Sequence, residues 1–228
     1  MFNSDEIKIS DIDPEDFVDS LGKLEKSFGA KFAFYSFKEA KTFGDICDII
    51  QSQLELTDKN DCTTQQAFYK LRKTISCTQN IEERNITPAT KLEFIFPELN
   101  RRQNIQQFQL ALGFSVNILT MKTWLAWSIG LGFLISIIAL FINGLYAFIG
   151  FSFFALVTRV ADKTAKELDL ATVGELTKKI SREQYASVRR QCGTLNRNEI
   201  VRTIQDLFIA DHFLKREHLT REASLGRE

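Results

Sequence analysis

This chain is poor in histidine, and its few cysteines show no pairing pattern. With only two histidines, His212 and His218, a histidine-based metal site or catalytic triad is not expected. We interpret both as ordinary surface residues. The four cysteines are scattered, without a CxxC pair or a neighbouring histidine cluster. This spacing argues against zinc and against a disulfide framework, and it is typical of proteins in a reducing cytosol.

An excess of charge of either sign is also missing, since 29 basic residues balance 29 acidic ones. Nothing therefore favours a nucleic-acid partner or an acidic substrate. Residues 1–16 are acidic and lack an apolar run, so we expect no secretory signal there. Paired carboxylates, a nucleotide-binding loop and a nucleophile–base pair are not recognisable. We therefore predict no catalytic site, no metal and no bound cofactor.

The most informative absence is that of charge between Lys122 and Arg159, over residues 123–158. One residue in four of the whole chain is charged, so such a gap is unusual for a soluble fold. As one helix the segment would be about 54 Å long, well beyond a hydrocarbon core of about 30 Å. A break at Asn143 and Gly144 gives apolar helices of about 18 and about 14 residues. The segment predicts a transmembrane helical hairpin, with the lipid bilayer as partner.

Basic residues on both sides of the hairpin predict its orientation. Because positive charges accumulate on the cytoplasmic side, both flanks and both termini are expected in the cytoplasm. Tryptophans suit an aromatic belt, and an arginine near a helix end can extend toward the headgroups. The predicted interface residues are Trp124, Trp127, Lys122 and Arg159. Two passes are favoured over a re-entrant hairpin, which must satisfy Asn143 in lipid, and over a hairpin buried in a soluble domain.

The rest of the chain contains two similar halves, which predicts an internal duplication. Around the first turn, Leu21, Leu24, Phe28, Gly29 and Phe32 match Ile105, Phe108, Leu112, Gly113 and Val116 at an offset of 84. In the next helix, Thr42, Gly44, Asp45 and Ile46 match Thr172, Gly174, Glu175 and Leu176 at an offset of 130. The difference, 130 − 84 = 46, accommodates the uncharged segment as an insertion. The predicted boundaries are 1–80 for the first unit, 81–123 and 161–228 for the second, and 124–160 for the hairpin.

Local patterns predict helices in both halves, so the fold class is predicted to be all-α. Gly29 follows an apolar helical pattern and tolerates the positive φ of a helix end. Four pairs have the spacing of a capping box: Thr42 with Asp45, Thr172 with Glu175, Thr63 with Gln66, and Asn196 with Glu199. Strand-like alternation is limited to short pieces such as KFAFYSF and LEFIF.

This order of elements resembles the acyl carrier protein family. LEKSFG at 24–29 is similar to the turn that ends the family's carrier helix. TFGDICDII at 42–50 is similar to its last helix, and TVGELTKKI at 172–180 repeats it. ITPATKLEFIFPEL at 86–99 is similar to the loop that leads into the carrier helix. The resemblance implies two acyl-carrier-like helical units, the second interrupted by the transmembrane hairpin.

A carrier of this family bears phosphopantetheine on one serine at a helix N-terminus, where the helix dipole favours the phosphodiester. In the family's register that position is Pro14 in the first half and Glu98 in the second, and neither can be modified. Asp19-Ser20-Leu21 spells the family tripeptide but lies too close to the Phe28-Gly29 turn. We interpret Ser20 as a solvent-facing residue in mid-helix, and its modification by phosphopantetheine is the alternative.

These observations predict a membrane-anchored, acyl-carrier-like docking or scaffold module without its own catalysis. The expected partner is a protein, for instance one of acyl-lipid metabolism. One alternative is an active carrier tethered to the membrane that uses Ser20. The other is a structural membrane protein that forms homo-oligomers through its glycine-bearing hairpin.

Overall fold

The computed structural model describes residues 9–225, except for the side chain at position 162. The prediction about the acidic N-terminus rests partly on residues 1–8, which lie outside the described residues. Between residues 9 and 225 the chain is mostly helical, and its strands have only two residues each. This confirms the all-α prediction at the level of secondary structure.

Ten α-helices and four short strands follow one another within the described residues. The helices are α1 (Pro14–Phe28), α2 (Phe43–Gln53), α3 (Thr63–Gln79), α4 (Leu92–Ile95), α5 (Arg101–Leu112), α6 (Thr123–Leu140), α7 (Gly144–Thr164), α8 (Val173–Glu183), α9 (Tyr185–Val188) and α10 (Arg197–His212). The strands are β1 (Thr57–Asp58), β2 (Leu119–Thr120), β3 (Glu167–Leu168) and β4 (Thr194–Leu195). The short alternating pieces near residues 31–37 and 92–96 form a 3₁₀ turn (Phe34–Phe37) and α4 rather than strands.

The chain divides into two compact units. Unit 1 comprises Met1–Lys73 together with Thr177–Glu228, and unit 2 comprises Thr74–Leu176. This division follows contacts in space, whereas the boundaries predicted at 80, 123 and 160 follow sequence similarity. Those boundaries stay a prediction about the duplication.

The core of unit 1 forms where α1 and α2 pack against α10. Phe208 of α10 contacts both partner helices, with its ring centroid 5.9 Å from that of Phe17 and 5.8 Å from that of Phe43. The apolar pattern that predicted α1 is buried here, including Leu24. β1 and β4 pair in parallel beside this core, with Thr57 opposite Thr194.

The predicted helix ends of α1 and α2 are confirmed. Gly29 takes a φ of 63° after α1, and its N–H donates to the Glu25 carbonyl. Thr42 and Asp45 form a capping box: the Asp45 N–H donates to Thr42 Oγ1 at 3.2 Å, and the Thr42 N–H donates to Asp45 Oδ2 at 2.9 Å. The backbone N–H groups of Lys41 and Thr42 stabilise the ionised carboxylate and so lower the pKa of Asp45.

The predicted capping box of α3 is wrong. Thr63 is the first helical residue, and its N–H donates to the carboxylate of Glu199 at 3.1 Å. Gln66 accepts a hydrogen bond from the backbone of Arg190 at 2.8 Å. The side chain of Asn196 does cap α10, because it accepts the N–H of Asn198. The carboxylate of Glu199 does not complete a capping box there, since it binds the start of α3 instead. Spacing along the sequence could not predict the bond between Thr63 and Glu199, because these two residues are 136 positions apart.

The core of unit 2 contains α4, α5 and the start of α8. The buried rings of Phe96 and Phe108 meet edge to face, with centroids 5.4 Å apart. Gly113 ends α5 with a φ of 87°. The predicted capping box at α8 is confirmed, since the Glu175 N–H donates to Thr172 Oγ1 at 3.2 Å and the carboxylate accepts the Thr172 N–H at 3.4 Å.

Candidate functional site: the apolar hairpin

α6 and α7 are long and apolar enough to cross a membrane. Their most apolar 18-residue windows have mean hydropathies of 1.9 and 1.6. Only 17% and 11% of those windows are buried, whereas the core helix of a soluble protein would be mostly buried. Trp127 is 77% exposed and Phe141 is 89% exposed. The hairpin therefore presents its apolar side chains outward.

α7 is longer than the charge-free segment that predicted it. It continues through Arg159 to Thr164, which gives 21 residues instead of about 14. At 1.5 Å per residue, α6 and α7 are about 27 Å and about 31 Å long. Both lengths are close to the thickness of a hydrocarbon core, about 30 Å.

Close packing at two glycines sets the register between the helices. A methyl group added at Gly132 would collide with the ring of Phe154, and one added at Gly150 would collide with the hydroxyl of Ser136. By contrast, a methyl group at Gly130 would meet no atom within 4 Å. Gly132 and Gly150 therefore allow the close contact between α6 and α7 within the hairpin.

The same register places Trp127 level with Arg159. Gly132 packs on Phe154, and moving five residues toward the open end on each antiparallel helix reaches Trp127 and Arg159. Arg159 lies five residues, or about 8 Å, inside the end of α7. The helical length between this level and the turn carries no charge and measures about 20 to 22 Å.

The predicted turn at Asn143 and Gly144 is where α6 gives way to α7. The Asn143 side chain accepts the N–H of Leu145 at 2.9 Å, so it caps the start of α7. Its own N–H donates to the carbonyl of Ala139 at 2.9 Å. Two polar groups of Asn143 are thereby satisfied locally, while Phe141 beside it is exposed.

A pair of strands closes the other end of the hairpin. β2 and β3 pair antiparallel, with Leu119 opposite Leu168 and Thr120 opposite Glu167. The next hydrogen bond joins the Asp169 N–H to the carbonyl of Ile118 at 2.9 Å. Since β2 leads into α6 and β3 follows α7, the hairpin is joined to the rest of unit 2 through two paired segments rather than through a loose linker.

Arg101 adds a second connection at the same end. Its side chain is buried, donating from Nε to the Phe96 carbonyl at 2.8 Å and from Nη1 to the Lys166 carbonyl at 2.7 Å. It therefore joins the start of α5 to the segment after α7. Lys122, the N-cap of α6, and Lys166 are themselves exposed, as is Arg159.

Ser20 is not solvent-facing, so that prediction is wrong. Its side chain is 1% exposed, and its hydroxyl lies 2.8 Å from Nε2 of His212 and 3.1 Å from the carboxylate of Asp211. Lys23 binds the same carboxylate at 2.9 Å. The four side chains form a polar contact between α1 and α10, which sequence reasoning missed because 192 residues separate Ser20 from His212.

The prediction that His212 is an ordinary surface residue is also wrong. His212 is half-buried, and its ring lies 5.7 Å from that of Phe208. Burial lowers the pKa of His212, although the nearby carboxylates of Asp211 and Asp16 oppose that shift. His218 is half-buried as well. Burial of His212 thus shifts its protonation toward the neutral imidazole, compared with an exposed histidine.

The contact around Ser20 joins two helices of unit 1. The Ser20–His212 pair has the atoms of a nucleophile and a base, but the hydroxyl is enclosed between two helices. The described residues contain no group of three or more metal-ligating side chains. No protein-family model, curated protein or solved structure matches this chain.

Proposed function

We propose that this protein is a membrane-anchored docking or scaffold module, without catalysis of its own, built from two degenerate acyl-carrier-like units. The observation that carries the proposal is the hairpin: two exposed apolar helices of membrane-spanning length leave a folded helical unit through paired strands. Such a connection holds the unit close to the bilayer. Both flanks of the hairpin would face the cytoplasm, where the positive charges lie.

The length of the hairpin supports two passes that are just long enough to reach the opposite membrane interface. The whole helices match a hydrocarbon core, whereas the charge-free part is shorter by about 8 to 10 Å. Arg159 would therefore begin inside the core and extend its guanidinium toward the headgroups, level with the ring of Trp127. The turn at Asn143 would lie at the opposite interface.

A repeated set of backbone hydrogen bonds supports the duplication. In unit 1, the chain at 221–225 lies along the start of α2: the N–H groups of Phe43 and Gly44 donate to the carbonyls of Ala223 and Arg221. In unit 2, the chain at 88–92 lies along the start of α8 in the same way: the N–H groups of Val173 and Gly174 donate to the carbonyls of Thr90 and Pro88. The donors of unit 2 are numbered 130 higher than those of unit 1, as in the predicted repeat, whereas its acceptors are numbered 133 lower, so the two acceptor segments are exchanged along the chain.

The reverse bonds also correspond. Leu225 donates to the carbonyl of Lys41 at 2.9 Å, and Leu92 donates to the carbonyl of Ala171 at 2.9 Å. In each unit a segment that contains a buried leucine is thus held against the capping box of a helix. Equivalent contacts in both units are expected if one ancestral unit was duplicated.

The absence of carrier chemistry is supported by the three positions that could hold the arm. Pro14 is the first residue of α1, and Glu98 precedes α5, so neither helix start carries a serine in the family's register. Ser20 has its hydroxyl buried against His212. A modifying enzyme needs an accessible hydroxyl, which this arrangement does not present.

Intact-mass spectrometry after coexpression with a phosphopantetheinyl transferase tests this proposal. The expected mass is that of the unmodified chain, and a pantetheine arm on Ser20 would show an active carrier instead. Chemical crosslinking in native membranes, followed by identification of the crosslinked residues, tests the docking role. A crosslink pattern confined to copies of this chain would favour the oligomeric alternative and contradict the proposed role.

A further inference from the structure

We propose that a groove beside Tyr69 in unit 1 binds a phosphate group. The groove has a volume of about 430 Å³ and is lined mainly by Tyr69, Lys70, Lys73, Val188, Arg189 and Arg190. Four of these residues are cations, and no carboxylate lines the groove among the described residues. In a chain with zero net charge, this is a local concentration of positive charge.

Arg189 supplies positive charge that its own hydrogen bonds do not neutralise. Its buried guanidinium donates to four neutral oxygens: Oγ1 of Thr194 at 3.0 Å, Oγ1 of Thr63 at 2.9 Å, and the carbonyls of Asp61 and Lys59 at 3.2 and 3.1 Å. These bonds fix the side chain in place. An anion in the groove would be attracted to the uncompensated charge behind it.

Arg190 and Lys73 are the groups available to contact a ligand directly. Both are exposed, and the guanidinium of Arg190 lies 5.9 Å from the ring centroid of Tyr69. Lys70 is held at the edge by donating to the Ser187 carbonyl at 2.8 Å. Partial burial lowers the pKa of Lys70, because it removes water from around the ammonium group. An anion that bound there would compete with few water molecules.

The chemistry of these groups favours phosphate over a carboxylate-bearing protein surface. A guanidinium and an ammonium that converge on one small groove suit a compact multivalent anion. The aromatic ring beside them suits the apolar part of a phosphate ester. The source is either a phospholipid headgroup or a soluble phosphate compound. Binding of phosphate itself does not depend on the proposed docking function, so the two can fail separately.

The test uses the full chain in phosphatidylcholine nanodiscs, labelled on its four tyrosines for NMR. Tyr69→Phe assigns the Tyr69 signal. Inorganic phosphate is expected to shift that signal saturably, while chloride at equal ionic strength does not. If nanodiscs containing phosphatidylglycerol produce the shift without added phosphate, the source is a headgroup. If only added phosphate produces it, the source is a soluble compound.

Lys73→Gln with Arg190→Gln is expected to weaken phosphate binding by about thirty-fold, the loss anticipated for two cations. The matched control is Lys26→Gln with Lys178→Gln, two exposed cations of unit 1 that do not line the groove. Both double variants are checked for an unchanged unfolding temperature, and Lys73→Gln alone serves if the first pair unfolds. A missing Tyr69 shift, or an equal loss in the control pair, overturns the proposal.

Discussion

Trp127 of α6 lies level with Arg159 of α7, because Gly132 and Phe154 pack together five residues further along the hairpin. The pair combines a ring that favours the membrane interface with a cation that can reach it. We therefore expect both side chains to reach the headgroup region from a level inside the hydrocarbon core. Everything between it and the turn is uncharged.

Reversal of charge at Arg159 should weaken membrane insertion. Arg159→Glu replaces a long side chain that can extend outward by a shorter anion, at a cost of about 1 kcal/mol at this depth. Alkaline extraction of membranes measures the fraction that stays inserted, which should fall. Lys163→Glu, nearer to the end of α7, is the control and should extract like the wild type. Equal extraction of both variants would contradict the proposed depth.

Gly132 should tolerate even a single methyl group poorly. Gly132→Ala forces the ring of Phe154 away and should lower the free energy of unfolding by about 1 to 3 kcal/mol. Gly130→Ala is the matched control, since its methyl group meets open space, and alanine favours a helix by about 1 kcal/mol. Denaturation in mixed detergent micelles measures both variants. The helix register is wrong if Gly130→Ala is the more destabilising change.

The buried Arg101 should matter more than its exposed neighbour. Arg101→Ala leaves the carbonyls of Phe96 and Lys166 without this donor, and it should lower the stability of unit 2 by about 2 kcal/mol. Arg102→Ala removes the same charge from an exposed position and should change stability by no more than about 0.5 kcal/mol. Thermal unfolding followed by circular dichroism compares the two.

Stability should fall on acidification through the range in which histidine titrates. Burial lowers the pKa of His212 below its ordinary value of 6.5, so the unfolded chain takes up a proton at a higher pH than the folded unit does. The contribution of His212 is therefore fully present above pH 6.5 and is lost as the pH falls toward its lower folded pKa. Asp45, whose pKa is lowered, titrates in a more acidic range.

Urea unfolding of the full chain in detergent, from about pH 8 to about pH 5.5, measures this dependence. His212→Gln should flatten the profile in that range. A profile that keeps its full slope in His212→Gln would assign the effect to another group.

Excision of the hairpin should separate the fold from the anchor. The residues that flank it, Thr120 and Glu167, already face each other in the β2–β3 pair, so an Asn-Gly turn can replace residues 121–165 and keep the Lys166 carbonyl that Arg101 binds. We expect the shortened chain to be soluble after cell lysis and to show the helical circular dichroism of its remaining helices. Recovery of this variant in the membrane fraction would place the attachment elsewhere.

Local patterns predicted much of the fold from the sequence. The end of α1 at Gly29 and the capping boxes at Thr42 and Thr172 depend on residues no more than four positions apart. The hairpin was predictable because its apolar composition needs no partner elsewhere in the chain. The length of α7 was not, because Arg159 interrupts the composition without interrupting the helix.

The sequence by itself determined where helices form and which segment avoids water, since backbone caps and apolar surface are properties of short stretches. Only the tertiary structure decided the roles of Ser20, Glu199 and Arg189. Each of these polar groups needs a partner once it is fully or partly buried, and each finds one 126 or more residues away. The tertiary structure also decided the common level of Trp127 and Arg159, because that level depends on how the two helices of the hairpin pack.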